Sequence, residues 1–148
     1  MLSRRPVAVV AAALTVLSMG VLTYKGATAQ EAIASEVKAA IPSWAKKQGF
    51  ANNKQALAGA NLFAESGCTN CHLYLGTGSS NLGAGTSNLG APDLTAEGAK
   101  NKGITFQIQH LKCPSCVNPG SPMPPFAALG DDNLRKLATF LEASKGSK

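Results

Sequence analysis

Two cysteines and a histidine stand close together in the sequence Cys68-Thr69-Asn70-Cys71-His72. The spacing C-x-x-C-H is typical of covalent haem attachment, in which each thiol bonds one vinyl-derived carbon of the porphyrin. A histidine directly after the second cysteine is then placed beneath the iron as its proximal ligand. We therefore predict one covalent haem c on Cys68, Cys71 and His72. For so short a motif, an ordinary disulfide or half of a zinc site is the alternative.

Met123 is the best candidate for the second axial ligand. The other two methionines, Met1 and Met19, lie in the first 29 residues of the chain. Met123 stands in the segment 119–126, PGSPMPPF, where prolines restrict the backbone. Such a loop can hold a thioether against iron, whereas a methionine that only packs in the turn is the alternative. His110, the only other histidine, could instead give bis-histidine iron, but a surface or packed histidine is favoured.

The composition suits a small domain built around a cofactor. The chain has 148 residues, and an aromatic content of 5% leaves few large side chains for a core, so a buried haem would supply apolar mass. Residues 1–29 hold 3 of the 14 basic residues, which leaves 11 basic and 8 acidic residues and a net charge of +3. This balance suits docking to an acidic face of a redox partner, with Lys100, Lys102 and Lys112 as candidate charges. Because no basic run is interleaved with aromatic residues, nucleic acid is not an expected partner.

The first 29 residues predict an export segment. A basic pair, Arg4-Arg5, precedes an apolar stretch, and the A-x-A pattern at residues 27–29 is typical of a signal cleavage site. The apolar run 7–22 is also close to the lower limit of ~17 residues for crossing a bilayer. A cleaved signal peptide and a retained membrane anchor both stay open, with a slight preference for the anchor. In either case the rest of the chain is expected outside the cytoplasmic membrane, on its periplasmic or extracytoplasmic side.

We predict three segments along the chain: the leader at residues 1–29, a connector at residues 30–51 and a haem-binding domain at residues 52–148. Within the connector, an Ala/Glu-rich helix is expected to end at Pro42. Trp44 follows, and it could be a docking or membrane-interface residue, although a tryptophan packed on the domain is favoured.

Two helices are expected to flank the motif and the methionine. Residues 52–66 have helical spacing with Asn52 as the expected cap, and Gly67 should end this helix. Residues 131–145 form the clearest helix, capped by Asp131. Its apolar stripe comprises Leu134, Leu137, Phe140 and Leu141.

Two segments between these helices are less clear. Residues 103–113 alternate like a strand and also have helical spacing, so both structures stay open. Residues 74–91 are rich in Gly, Ser and Asn and predict a long loop, either functional or a tolerated insertion.

Together, a helix running into C-x-x-C-H, a methionine in a proline-rich loop and a C-terminal helix with an apolar stripe resemble the class I (monohaem) cytochromes c, over about residues 52–148. The resemblance implies an all-α fold around one haem, in which the first and last helices cross. Gly59 and Phe63 would then meet the stripe of the last helix. The resemblance also implies a Gly-Pro-x-Leu segment whose proline carbonyl accepts from the proximal histidine. The segment 91–94, APDL, is similar, with Pro92 as that residue and alanine in place of the glycine.

A second C-x-x-C begins at Cys113 and ends at Cys116, but Val117 stands where a haem ligand would be. A second haem is therefore not expected. Outside the cytoplasm, and with the first pair bonded to haem, a disulfide between Cys113 and Cys116 is the leading interpretation. A thiol redox centre and a zinc site are weaker alternatives.

One-electron transfer is the function that these predictions support. With both axial positions filled by side chains, no coordination site is left for a substrate, which favours an electron carrier over an enzyme. A haem c subunit of a larger membrane oxidoreductase, such as a quinol-oxidising complex or a terminal oxidase, is the alternative. A five-coordinate haem sensor or peroxidase is a third possibility.

Overall fold

The computed structural model describes residues 31–78 and 91–146. Within these ranges the regular secondary structure is helical apart from one isolated β-bridge, which confirms the predicted all-α class. The predicted leader at residues 1–29 and most of the predicted loop at residues 74–91 lie outside the described residues. The two described ranges contain no helix with the length and apolar character needed to span a bilayer.

Five α-helices occur in the described ranges, and 3₁₀ turns lie between some of them. The helices are α1 (31–48), α2 (Lys54–Glu65), α3 (Ile104–Lys112), α4 (Pro114–Val117) and α5 (Asp131–Ala143). The 3₁₀ turns are Cys68–Asn70, Glu97–Lys100 and Ala127–Leu129. The segment that was ambiguous between strand and helix therefore forms α3.

Helix α1 continues through Pro42, so the prediction that it ends there is wrong. The proline lacks the amide that would donate to the carbonyl of Lys38, and a proline inside a helix costs roughly 3 kcal/mol. Burial of one apolar face of α1 offsets this cost. The buried residues of that face are Val37, Ile41, Trp44 and Ala45. The second of the two compact units of the chain begins at Ala34, and much of the predicted connector at 30–51 contributes to the core of that unit.

Helices α2 and α5 cross at Gly59, as the resemblance to class I cytochromes c implied. A Cβ atom on Gly59 would lie 2.0 Å from the carbonyl oxygen of Lys136 and 2.8 Å from Cβ of Phe140. Only a residue without a side chain allows the two backbones to come this close. Next to the crossing, the rings of Phe63 and Phe140 have centroids 5.3 Å apart. The predicted stripe of α5 is buried along its whole length.

Trp44 belongs to a buried aromatic cluster. Its side chain is 2% exposed. Its ring centroid lies 4.6–6.5 Å from those of Phe63, Tyr74 and Phe140. The hydroxyl of Tyr74 lies 2.7 Å from Oγ of Ser144, which itself donates to the carbonyl of Phe140 at 2.8 Å. Trp44 is thus a core residue, which confirms the favoured interpretation of a packed tryptophan.

Both helix caps differ by one residue from the predicted ones. Asn53, not Asn52, precedes α2, and its Oδ1 accepts a hydrogen bond from the amide of Ala56 at 3.0 Å. Gly130 precedes α5, so Asp131 is the first helical residue. There its carboxylate is placed favourably at the positive end of the helix dipole.

Candidate haem-binding site

The C-x-x-C-H motif begins where α2 ends. Gly67 adopts a left-handed backbone conformation with a φ of 69°, which turns the chain into the 3₁₀ turn Cys68–Asn70. The amides of Cys71 and His72 both donate to the carbonyl of Cys68, at 3.2 and 2.9 Å. These bonds place the two thiols and the imidazole on one turn, and all three groups must reach a single porphyrin there.

The ring of His72 is oriented by a backbone carbonyl. Its Nδ1 lies 2.8 Å from the oxygen of Pro92, 20 residues further along the chain. Because a carbonyl oxygen only accepts, Nδ1 carries the proton and Nε2 presents a lone pair that can bind a metal. Two further hydrogen bonds, at 2.9 and 2.7 Å, join residues 73–75 to residues 94–95.

Cys68 and Cys71 are not joined to each other, and both are partly exposed. Although part of the Cys68 residue is exposed, its thiol is shielded from water, and this burial raises the pKa of that thiol to about 12. Within the described ranges, no three His, Cys, Asp or Glu side chains come together as a potential metal-binding group. Two free thiols and one available imidazole nitrogen on a single turn are the donors that covalent haem c requires, so these residues fit the group.

Met123 lies on the segment 118–126, which we call the Met loop, between α4 and α5. Its side chain is partly exposed, and its amide donates to Oγ of Ser121 at 3.3 Å. The end of the loop is held by the amide of Phe126, which donates to the carbonyl of Leu111 at 2.8 Å. No hydrogen bond of the described residues joins Met123 to the C-x-x-C-H motif, and its role as an axial ligand stays a prediction.

Cys113 and Cys116 form a disulfide across the single turn of α4. The amide of Cys116 also donates to the carbonyl of Cys113 at 3.1 Å. Cys116 is exposed, Cys113 is partly exposed and the intervening Pro114 is buried. The four cysteines are therefore separated into one bonded pair and one free pair.

His110, the other candidate ligand, lies on α3 with its ring centroid 6.0 Å from that of Phe106, in an edge-to-face arrangement. Burial lowers the pKa of His110, and the positive charge of Lys102 lowers it further. These surroundings favour a neutral, packed imidazole.

Each lysine predicted as a docking charge has an acidic neighbour. Nζ of Lys100 and Nζ of Lys102 lie 2.5 and 3.5 Å from the carboxylate of Glu97, and Lys112 lies 2.6 Å from Asp131. Burial by itself would raise the pKa of Glu97, but hydrogen bonds and the lysine charges outweigh it and lower that pKa. Because an ion pair reduces the positive charge that a partner meets, docking through these lysines stays a prediction.

Thr95 is a positioning residue that the sequence analysis missed. Its Oγ1 accepts from the amide of Leu75 at 2.7 Å, and its carbonyl accepts from Nε2 of Gln48 at 2.9 Å and from the amide of Gly146 at 3.1 Å. It therefore links the segment after His72 to α1 and to the end of the described chain. The available signal was the spacing Asp93-x-Thr95, since Oδ1 of Asp93 accepts from the amide of Thr95 at 2.8 Å, as in an Asx turn.

The helical fold, the C-x-x-C-H turn and its carbonyl-bonded histidine are the features of a c-type cytochrome domain, for which covalently bound haem c is implied. A family model described as cytochrome c oxidase, cbb3-type, subunit III matches residues 54–141. This range is more than half of the chain, and the chain belongs to that family. No curated protein and no solved structure matches the chain. The predicted resemblance to c-type cytochromes is confirmed at this level.

Proposed function

We propose that this chain transfers single electrons through one haem c, bonded to Cys68 and Cys71 and held axially by His72 and Met123. The observation that carries the proposal is the 2.8 Å contact between Nδ1 of His72 and the oxygen of Pro92, on a turn with two free thiols. When bound, haem c supplies the one-electron couple between ferrous and ferric iron.

The side chains around the iron would set how readily an electron is gained. The bond to Pro92 fixes the ring plane of His72 and makes Nε2 a stronger donor. A thioether from Met123 favours ferrous iron and raises the reduction potential relative to a second imidazole. If His72 and Met123 both held the iron, no position would be left for a substrate, which supports a carrier rather than a catalyst.

Covalent attachment is tested by the double variant Cys68→Ala/Cys71→Ala. We expect its haem to be extractable by acidified acetone, because both thioether bonds are absent. The matched control is Cys113→Ser/Cys116→Ser, which removes the other C-x-x-C and should keep its haem bound to the polypeptide. Haem that resists extraction from the first variant would disprove the attachment.

The axial ligand is tested by Met123→Leu, which keeps a side chain of similar size without a sulfur atom. The ferric spectrum should lose its thioether-to-iron absorption band, and the ferrous protein should bind CO rapidly. The control is His110→Gln at the other candidate ligand, which should leave both properties unchanged. If only the His110 variant changes the spectrum, ligation is bis-histidine, and rapid CO binding by the unaltered protein would indicate five-coordinate iron.

The family match favours a more specific role for this carrier, as a haem subunit of a membrane oxidase complex. The description of the family names an oxidase subunit, and its cytochrome c domains lie outside the cytoplasm. We propose that residues 1–29 hold the domain at that side of the membrane. Membrane fractionation with intact-mass measurement tests this: a mature chain that starts at Gln30 and stays in the soluble fraction would instead be a free carrier.

For either role we propose a redox partner with an acidic docking face. The rate of electron transfer should then fall as ionic strength rises, because salt screens the attraction. Lys100→Gln/Lys102→Gln should weaken this dependence, whereas Lys46→Gln, an exposed lysine on α1, should not. Equal salt dependence in all three proteins would exclude docking through Lys100 and Lys102.

A further inference from the structure

The Cys113–Cys116 disulfide is poorly suited to a purely structural role. Only two residues separate the cysteines, so the crosslink closes a very short loop and restricts the unfolded chain little. Cys116 is exposed and Cys113 is partly exposed, which leaves the bond open to attack by an external thiolate. Accessible disulfides of this kind are the ones that are reduced most readily and that serve regulatory roles.

A series of hydrogen bonds connects the disulfide turn to Met123. The amide of Asn118 donates to the carbonyl of Pro114 at 2.8 Å, inside the turn that the disulfide closes. The amide of Ser121 donates in turn to the carbonyl of Asn118 at 3.0 Å. Oγ of Ser121 then accepts from the amide of Met123 at 3.3 Å. Each bond starts from a residue that the previous bond positions.

Both ends of the Met loop are attached to the same short stretch of chain. The loop leaves from α4, which the disulfide closes, and it returns where Phe126 bonds to the carbonyl of Leu111, two residues before Cys113. Four prolines restrict the backbone between these ends, so the loop should move largely as one body. Most of its residues are exposed, so the core does little to hold it. The position of Met123 therefore depends on the stretch that contains the disulfide.

We propose that the Cys113–Cys116 disulfide is a redox switch that controls the position of Met123. Its reductant is an extracytoplasmic thiol–disulfide exchange protein with two cysteines of its own. One thiolate of that dithiol attacks Sγ of Cys116, the bond to Cys113 breaks, and a mixed disulfide forms. The second thiol of the partner then attacks the mixed disulfide. The dithiol becomes a disulfide, and Cys113 and Cys116 have taken up two electrons and two protons as thiols.

The switch rests on the proposed role of Met123 as axial ligand, and it makes a reciprocal prediction. If opening the disulfide weakens thioether ligation, then loss of the thioether must make the disulfide easier to open by the same factor, because coupling between two equilibria is mutual. We expect a factor of roughly fivefold or more, the lower end of the usual range for coupled sites.

The first measurement uses the full-length protein with its haem. The disulfide is reduced with dithiothreitol, the thiols are blocked with iodoacetamide, and the iron is reoxidised with ferricyanide. The thioether-to-iron band of the ferric spectrum should then weaken, and the imidazole concentration that displaces half of the thioether from the iron should fall roughly fivefold or more. It should return when the disulfide is allowed to re-form instead of being blocked. The variant Cys113→Ser/Cys116→Ser should show the same loss without any reagent, whereas Ser115→Ala, which keeps both cysteines, should not.

The second measurement follows the disulfide itself by mass spectrometry after alkylation, over a series of dithiol-to-disulfide ratios. In Met123→Leu, the Cys113–Cys116 disulfide should be half reduced at a dithiol-to-disulfide ratio roughly fivefold or more lower than in the unaltered protein.

An unchanged midpoint of this reduction, or an unchanged spectrum after the disulfide is opened, overturns the switch. If Met123→Leu itself leaves the ferric spectrum unaltered, the axial assignment fails and the switch fails with it. If that variant changes the spectrum but opening the disulfide does not, only the switch is wrong. Should the double serine variant not fold, reversible reduction of the unaltered protein decides.

Discussion

Replacing Trp44 by alanine tests whether α1 belongs to the folded domain, although it lies outside the range that matches the family. The side chain is 2% exposed, so nearly its whole surface is removed from water on folding. A tryptophan side chain buries roughly 200 Å². At about 25 cal/mol per Å² of apolar surface, that burial contributes about 5 kcal/mol.

This figure is an upper value, because a denatured chain already buries roughly 10–40% of such surface. We therefore expect Trp44→Ala to lower the free energy of unfolding by about 3 to 4.5 kcal/mol. The whole free energy of unfolding of a small domain is only about 5–15 kcal/mol, so the variant should be close to unfolding. The three aromatic neighbours of Trp44 would lose contact on one side.

The assay is unfolding of the full-length haem protein by guanidinium chloride, followed by far-ultraviolet circular dichroism. Trp44→Phe keeps an aromatic ring and should lose clearly less stability than Trp44→Ala. Lys46→Ala, on the exposed side of the same helix, should change stability by no more than about 0.5 kcal/mol. If Trp44→Ala loses less than about 1 kcal/mol, the argument that α1 completes the core is refuted and the segment is a connector after all.

Four further substitutions probe other contacts by the same unfolding assay. Gly59→Ala should lower the free energy of unfolding by about 1–3 kcal/mol, because the added Cβ would meet the carbonyl of Lys136. Helix propensity alone predicts a gain in stability, and such a gain would contradict the close crossing of the helices. Tyr74→Phe should lower the free energy of unfolding by about 1 kcal/mol. Ser144→Ala should lower it more, because it leaves the buried hydroxyl of Tyr74 without an acceptor. The reverse order would contradict Tyr74 as the donor of this hydrogen bond. The carboxyl of Glu97 has a pKa below its ordinary 4.5, so its stabilisation is present above pH 4.5 and is lost as the pH falls through the lowered pKa. As the pH falls below 4.5, Glu97→Gln should therefore lose less stability than the unaltered protein. An equal loss in the two proteins would show that another group causes the pH dependence.

The haem-attachment turn is predictable because its determinants are local. Gly67 ends α2 and the next five residues carry all three groups that attachment requires, so their proximity follows from their spacing. The apolar stripe of α5 is predictable for the same reason, because residues three and four apart share one face of a helix. The crossing at Gly59 came from the resemblance to cytochromes c, and not from a pattern inside α2 itself.

Local patterns misled where tertiary packing outweighs them. Pro42 is a strong signal for the end of a helix, yet α1 passes through it because burial of Val37, Ile41 and Trp44 exceeds the cost of one lost hydrogen bond. The cap of α2 was predicted at Asn52 but lies at Asn53. The prediction missed by one residue because either of two consecutive asparagines can cap a helix, and the sequence alone does not choose between them. Neither error affects the turn that carries the cysteines.

The sequence by itself determined the kind of chemistry: two thiols and an imidazole within one turn, a single methionine after residue 29 and a second cysteine pair without a histidine. Only the tertiary structure decided that α1 passes through Pro42 with one face in the core and that Lys112 pairs with Asp131. It also brought Pro92 to Nδ1 of His72, as the resemblance to cytochromes c implied. The physical reason is distance along the chain. Groups within one turn meet through backbone geometry, whereas groups many residues apart meet only when the packing of whole helices brings their segments together.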